Sequence, residues 1–311
     1  MSGIFIFGAG GQVGKELSFI MKGAKCFSHS GQNEIANIEK FEELEKVFSM
    51  NPPDIVINAA AYTDVDGCEI KKEIAFNSNA LAVGNLTKLC RKYSAKFYHI
   101  STDYVFDGKS GNYSESSIPS PVNYYGFSKV IGDYMALSYE KALVIRTSGV
   151  YGFKSNFPLF IYNSMKTGKT MKIIKGYYSP IHARMLAKSI NYIIEKHSEL
   201  DGLINIAGVK ISRMDLARAI SEKFKLPYKD IEEVDSIPAL KALRPYDSSL
   251  DINKAKTLIN FDFYSVENNF KYFEEDINRN QNPPETFDEN SRYNPKNPYS
   301  ASKYFKLFST L

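Results

Sequence analysis

Three glycines at a spacing of three, Gly8, Gly11 and Gly14, follow the apolar run Ile4-Phe-Ile-Phe7 and open a helical pattern over residues 15–21. A short apolar run ended by glycine reads as a buried strand, and Leu17, Ile20 and Met21 behind the glycines recur at helical spacing. Glycine lets a backbone come close to a bound anion, and a helix N-terminus offers that anion unpaired N–H groups. Strand, glycine turn and helix in that order read as the cradle of a dinucleotide pyrophosphate, and they commit the chain to an α/β fold.

The alternation continues through the first half. Residues 41–48 repeat the helical period until Pro52-Pro53, and residues 54–58 form the next strand. Residues 74–93 read as one long helix, and residues 96–100 and 143–146 as further strands. Strands alternating with helices predict a doubly wound parallel sheet. The second half is less regular, with strands expected at 171–174 and 203–206 and helices at 183–196 and 213–224. The expected division is a dinucleotide-binding domain over 1–150, a smaller substrate lobe over 151–277 interleaved with it, and an appended tail over 278–311. In the tail Asn, Pro, Glu and Ser crowd together.

Composition excludes several partners. With 39 basic and 35 acidic residues the net charge is +4, which gives no electrostatic reason to expect nucleic acid or an anionic membrane. No apolar run approaches the roughly 20 residues that span a bilayer. The first residues lack the basic start and cleavage site of a secretory signal, so a soluble, cytoplasmic protein is expected. Cys26, Cys68 and Cys90 stand far apart and read as small core residues. His29, His99, His182 and His197 carry no neighbouring ligand at metal spacing; they read as structural, and no metal site is expected.

Tyr125-Gly-Phe-Ser-Lys129 puts a phenol and an amine on one face of a helix. Free tyrosine, with a pKa of about 10, is a poor acid or base near neutrality. A neighbouring ammonium stabilises the phenolate and moves it into working range. Ser101-Thr102, at the end of a predicted strand, supplies a hydroxyl to hold a carbonyl oxygen. In a chain with 21 tyrosines the spacing alone arises by chance; the upstream glycine turn and Ser-Thr-Asp give it meaning. Arg244 suits a substrate diphosphate by its guanidinium fork, or equally an ion pair. Tyr177-Tyr-Ser-Pro180 reads either as a pocket wall or as plain loop packing.

Together these residues resemble the extended short-chain dehydrogenase/reductase family, in particular its reductases of nucleotide-linked 4-keto sugars. The likeness covers about residues 3–260. It rests on Gly8 to Gly14, Asn58-Ala-Ala-Ala-Tyr-Thr-Asp-Val-Asp66, Ser101-Thr-Asp-Tyr-Val-Phe-Asp-Gly108 and Pro121-Val-Asn-Tyr-Tyr-Gly-Phe-Ser-Lys129. Ile145-Arg-Thr-Ser148 and Arg244-Pro-Tyr-Asp-Ser-Ser-Leu250 extend it.

The resemblance implies that Gly11, Gln12 and Val13 cradle NADPH or NADH, and that Ala60, Ala61, Tyr62 and Thr63 line its path. It implies that Tyr125 protonates the 4-keto oxygen and Lys129 holds the nicotinamide ribose. Thr102 then tunes the tyrosine, with Asp103 beside it near the sugar. The implied reaction converts dTDP-4-dehydro-β-L-rhamnose to dTDP-L-rhamnose. No acid ends the second strand, where Lys25-Cys-Phe-Ser-His-Ser30 stands, so NAD and NADP both stay open. Relatives place a tryptophan where this chain has Gly149, and a wider sugar pocket is expected. A homodimer stays open, without the metal that assists it in some relatives.

Segment 289–303 repeats segment 115–129, matching Tyr125 with Tyr299 and Lys129 with Lys303. Segment 284–305 resembles part of the 4,6-dehydratases that act on dTDP-glucose. Tyr299 and Lys303 have no glycine turn or Ser-Thr strand of their own, so the copy is expected to be inert. Two rival functions remain: a dinucleotide-binding regulatory subunit like the β-subunit of methionine adenosyltransferase, and a nucleotide-sugar epimerase.

Overall fold

The computed structural model describes residues 3–28 and 34–281. His29 and the repeated segment with Tyr299 and Lys303 therefore lie outside the described residues. The chain begins with β1 (Ile4–Phe7), α1 (Gln12–Ile20), β2 (Lys25–Ser28), β3 (Glu34–Ile35), α2 (Phe41–Met50) and β4 (Ile55–Asn58). Next come α3 (Val65–Ile70), α4 (Lys72–Phe76), a π-helical turn at Asn77–Leu81, α5 (Ala82–Lys92) and β5 (Lys96–Thr102). A 3₁₀ turn at Asp103–Val105 leads to α6 (Tyr124–Leu137), β6 (Ala142–Thr147) and β7 (Val150–Tyr151).

The second half holds α7 (Phe157–Thr167), β8 (Met171–Ile174), β9 (Tyr177–Tyr178), β10 (Ile181–His182), α8 (Ala183–Lys196) and β11 (Gly202–Asn205). It ends with β12 (Ile211–Ser212), α9 (Arg213–Phe224), β13 (Ile231–Val234), α10 (Asn253–Leu258) and α11 (Val266–Gln281).

Seven strands form one sheet in the order β11-β6-β5-β4-β1-β2-β3, and every pairing is parallel. This is the doubly wound arrangement expected from the alternation. Its strands are near-continuous apolar runs because helices cover both faces. Leu17, Ile57, Tyr98, Leu143, Ile190 and Ile204 belong to the core on one face; Phe7, Phe27, Phe48, Leu86, Phe97 and Val144 belong to the other.

The strand at Gly202–Asn205 was expected in the smaller lobe. It instead extends the central sheet, pairing Leu203 with Val144 and Ile204 with Ile145. Every residue of β6 is buried, and β11 covers what would otherwise be its open edge. α8 returns with β11 and is tied to α1 by Arg184, whose Nε donates to Glu16 at 3.1 Å. The lobe that remains is built on α7, α9 and α11 around Tyr151, Ile161, Met165, Ile173, Leu216, Ile220 and Phe273. Three small two-stranded sheets, β7–β10, β9–β12 and β8–β13, fasten it. α11 runs on through residue 278, where the tail was expected to begin.

The single helix expected over 74–93 is interrupted. Asn79 reaches out of the π turn to the β4–α3 connection, its Oδ1 accepting the Tyr62 N–H at 2.8 Å and its Nδ2 donating to the Tyr62 carbonyl at 3.0 Å. The same Nδ2 lies 3.0 Å from the Ser128 hydroxyl on α6. One widened turn thus locks the loop after β4 to α6, and such bulges concentrate at functional sites.

Candidate active site

Strand order reverses between β1 and β4, and the crevice at their carboxyl ends is where open α/β sheets bind ligands. The glycine turn enters it from β1 and the Ala59–Thr63 loop from β4. Gly8 has φ +80°, and a Cβ there would lie 2.4 Å from the Ala60 nitrogen; one at Gly14 would lie 2.2 Å from the Gly8 carbonyl oxygen. Only glycine lets these two loops and the start of α1 close on one another. Gln12 donates through Nε2 to the Val150 carbonyl at 3.3 Å, while its buried Oε1 has no partner among the described residues. Lys154 donates to the Gly10 carbonyl, and its charge acts on Lys15, so two cations stand beside the turn. The glycine cradle and the two lysines fit a dinucleotide diphosphate, whereas the Gln12 amide oxygen, an acceptor, suits a donor such as a hydroxyl.

Tyr125 sits in the first turn of α6, where Asn123 caps the helix by accepting the Gly126 N–H at 2.8 Å. Its ring packs with Cys68 and Ala75 and meets Tyr104 edge-on at 5.9 Å. Burial pushes the phenol well above its ordinary value, and a side-chain hydrogen bond with Thr102 pulls the other way. Thr102 ends β5, and its hydroxyl donates to Asp103 Oδ1 at 3.2 Å. Asp103 was expected beside Thr102, near the sugar. In the structure it is 2% exposed, and its Oδ2 accepts the Ser148 hydroxyl at 2.7 Å and the Ser248 hydroxyl at 2.5 Å. Its carboxyl joins β5, the β6–β7 connection and the 245–250 segment beneath the site.

Lys129, one helical turn beyond Tyr125, is 1% exposed. Its Nζ donates to the Ile100 carbonyl at 2.8 Å and lies 3.2 Å from His99 Nε2. His99 Nδ1 is 3.1 Å from Asn58 Nδ2, a contact set by the sheet register, which pairs Asn58 with His99 directly across β4 and β5. Asp133 follows on the same helix face, held by Arg146 Nε at 3.2 Å. Burial brings the Lys129 ammonium down to about 8 and drives His99 well below its ordinary range. His99 is thus part of the site. Its position was illegible in the sequence, because only strand order puts it beside Lys129.

Gly149 was expected to widen the pocket, but the space is filled from another strand. Gly149 has φ +45°, and a Cβ there would lie 2.5 Å from Cε2 of the Tyr178 ring. Tyr178 is 8% exposed, with the Arg213 guanidinium 5.6 Å from its ring centre. Arg244 forms an ion pair, its Nη2 donating to Asp66 Oδ2 at 2.8 Å and its Nη1 to Oδ1 at 3.2 Å. Asp66 also accepts the Lys241 and Ala242 N–H groups, so the carboxylate shapes the loop that carries the arginine. Cys68 and Cys90 are core residues as expected, whereas Cys26 is only half-buried. His182 caps α8 and contacts Asp276 at 3.1 Å; His197 contacts the Leu258 carbonyl. Among the described residues no cluster of three or more potential metal ligands occurs, and no helix is long and apolar enough to cross a membrane.

The chain is 32% identical over 278 residues to the dTDP-4-dehydrorhamnose reductase of Aggregatibacter actinomycetemcomitans, covering 82% of this chain and 92% of that protein. The crystal structure of a hypothetical dTDP-4-dehydrorhamnose reductase from Sulfolobus tokodaii superposes with a TM-score of 0.80 at 43% identity, over 85% of this chain and 97% of that one. The Bacillus anthracis dTDP-4-dehydrorhamnose reductase in complex with NADP superposes at 0.79 with 27% identity, over 88% and 98%. The family model of the RmlD substrate binding domain matches residues 1–278. With the glycine turn, the Ser-Thr-Asp strand end and the Tyr125 helix all inside that match, the chain belongs to the RmlD substrate binding domain family.

Proposed function

We propose that this protein is an NAD(P)H-dependent reductase that converts dTDP-4-dehydro-β-L-rhamnose to dTDP-L-rhamnose. The observation that carries the reading is Tyr125, a phenol that burial keeps protonated, placed beside Thr102 at the carboxyl end of β5. The nicotinamide cofactor supplies the hydride. Gly8, Gly11, Gln12, Val13 and Gly14 hold its diphosphate, and Ala60, Ala61, Tyr62 and Thr63 border its path.

Tyr125 delivers its proton to the oxygen that becomes the C4 hydroxyl, and Thr102 orients that oxygen and the phenol. A proton donor held ready suits reduction, which needs a tyrosine that arrives protonated. Arg244 and Arg213 both act on the Tyr104 phenol. To meet the substrate's diphosphate Arg244 would have to exchange its pair with Asp66 for the phosphate oxygens, whereas Arg213 has no carboxylate pair to give up among the described residues. Tyr178 gives the sugar an aromatic wall in place of residue 149. Nucleic acid has no part in this reading, and the reaction belongs to the cytoplasm. Exposed Ile74 and Leu81, with Phe127, Tyr134 and Met135 on the adjoining helix α6, offer an apolar face for a homodimer.

The test supplies the purified protein with the 4-keto sugar and NADPH or NADH and follows nicotinamide absorbance. Stoichiometric cofactor oxidation with a new C4 hydroxyl is expected. Cofactor binding without turnover would mark a regulatory subunit, and product without net oxidation an epimerase.

A further inference from the structure

The hydrogen bonds behind Lys129 form a chain whose direction is fixed at one end. The Ala60 N–H donates to Asn58 Oδ1 at 3.1 Å, which turns the amide nitrogen of Asn58 toward His99. That nitrogen carries only hydrogens to offer, and it lies 3.1 Å from His99 Nδ1. Nδ1 must therefore be bare, and a neutral imidazole then carries its one hydrogen on Nε2. Nε2 lies 3.2 Å from Lys129 Nζ. An ammonium has three hydrogens and no lone pair, so at this contact it would face a second donor. A neutral amine accepts there and still donates to the Ile100 carbonyl at 2.8 Å.

We propose that His99 is a positioning residue for the reaction: as the Nε2–H tautomer it donates into the lone pair of Lys129 and holds that lysine as a neutral amine until the cofactor draws it away. Lys129 then takes up a proton from water and acts as an ammonium beside Tyr125. The proposal rests on the catalytic reading of Lys129 given above.

The surroundings agree. Asp133 Oδ1 lies 3.9 Å from His99 Nε2, where a carboxylate oxygen suits an N–H and opposes a lone pair. Its other oxygen is engaged by Arg146 from β6; the carboxylate still favours the Lys129 ammonium, but less than burial opposes it. β4 presents a neutral group to His99, the Asn58 amide. Burial already lowers the ammonium to about 8, and a donor to the neutral form lowers it further. The opposite polarity, with a charged Lys129 and a protonated Nδ1, needs Asn58 reversed, which sets its NH₂ against the Ala60 N–H.

The test uses the full cofactor-free chain. Long-range ¹H–¹⁵N correlation spectra of the histidine rings, with His99 identified by its loss in His99→Asn, are expected to show Nε2 protonated and Nδ1 bare. A protonated Nδ1 with a bare Nε2 overturns the proposal. Calorimetry of NADPH binding in buffers of different protonation enthalpy is expected to register uptake of about one proton per chain near pH 8. Lys129→Met should register none, and absence of uptake by the wild-type chain also overturns the proposal. Asn58→Asp puts an acceptor against Nδ1; it should reverse the tautomer and abolish the uptake. If that variant fails to fold, the wild-type tautomer decides alone. Neither readout needs the sugar, so a failed reductase reading would show separately, as cofactor binding without hydride transfer.

Discussion

Tyr125 and Lys129 lie one turn apart on α6, yet they occupy opposite kinds of surroundings. The tyrosine packs against Cys68, Ala75 and the edge of Tyr104, with the Thr102 hydroxyl as its polar neighbour. The lysine is buried against His99 and the Ile100 carbonyl, with Asn58 and Asp133 in turn against His99. Burial acts on both and moves them in opposite directions, the phenol up and the ammonium down, because each is pushed toward its neutral form. A nearby charge alone does not tune this pair. Desolvation sets the resting state of both groups, and their partners decide when each departs from it.

The largest expected effect is on the tyrosine side. Tyr125→Phe removes the proton donor while keeping the ring, and kcat should fall about 10³-fold with cofactor affinity nearly unchanged. Steady-state turnover and a cofactor titration check it, and wild-type turnover would refute the assignment.

On the lysine side the expected signature is in stability. Its folded value of about 8 lies below the ordinary 10.5, so between these the unfolded chain binds a proton that the folded chain does not. Its own contribution to stability should therefore be flat below pH 8 and rise by about 3 kcal/mol toward 10.5, against the opposite contributions of Cys68, Cys90 and Tyr125, whose burial-raised values make stability fall as pH climbs. Denaturant unfolding at several pH values should show this rise as the difference in stability between the wild type and Lys129→Met, in which the other groups cancel.

Asn79→Ala removes the group that joins the loop after β4 to the helix carrying both residues. It leaves the Tyr62 N–H and carbonyl without their partner and should cost about 2 kcal/mol by urea unfolding. Gly149→Ala places a Cβ against Tyr178 in left-handed backbone; about 1 kcal/mol is expected. Its kinetic effect should fall on KM for the sugar, leaving the titration of Lys129 unmoved. Ending the chain after Gln281 should change neither kcat nor KM, because Tyr299 and Lys303 bring no glycine turn with them.

Much of this was legible beforehand. Apolar runs located β1, β4, β5 and β6, and the helices Ala183–Lys196 and Arg213–Phe224 fall at the expected residues. The glycine turn, Thr102 and the Tyr125–Lys129 spacing could be read because each is local, a few residues along one element. The π turn escaped because one extra residue barely alters a helical period, and its cause is a bond to Tyr62 in another segment. His99 escaped because its meaning comes from the register of β4 against β5. Strands of two residues, such as β9 and β12, carry too little pattern to be seen. The place of Gly202–Asn205 in the central sheet depended on which edge stayed open.

The seating of Tyr178 against Gly149 also constrains how this pocket can change. A bulky side chain at 149 and a ring at 178 cannot coexist, so the two positions form a mutually exclusive pair. A single step from glycine to tryptophan at 149 meets an occupied space, whereas shrinking residue 178 first opens a route. Redesign of the sugar pocket therefore has an order, with residue 178 changed before residue 149. The same substitution at 149 should cost less in a Tyr178→Ala background than in this one, with the strain of the left-handed backbone left in both, a departure that the sum of the single effects would not forecast.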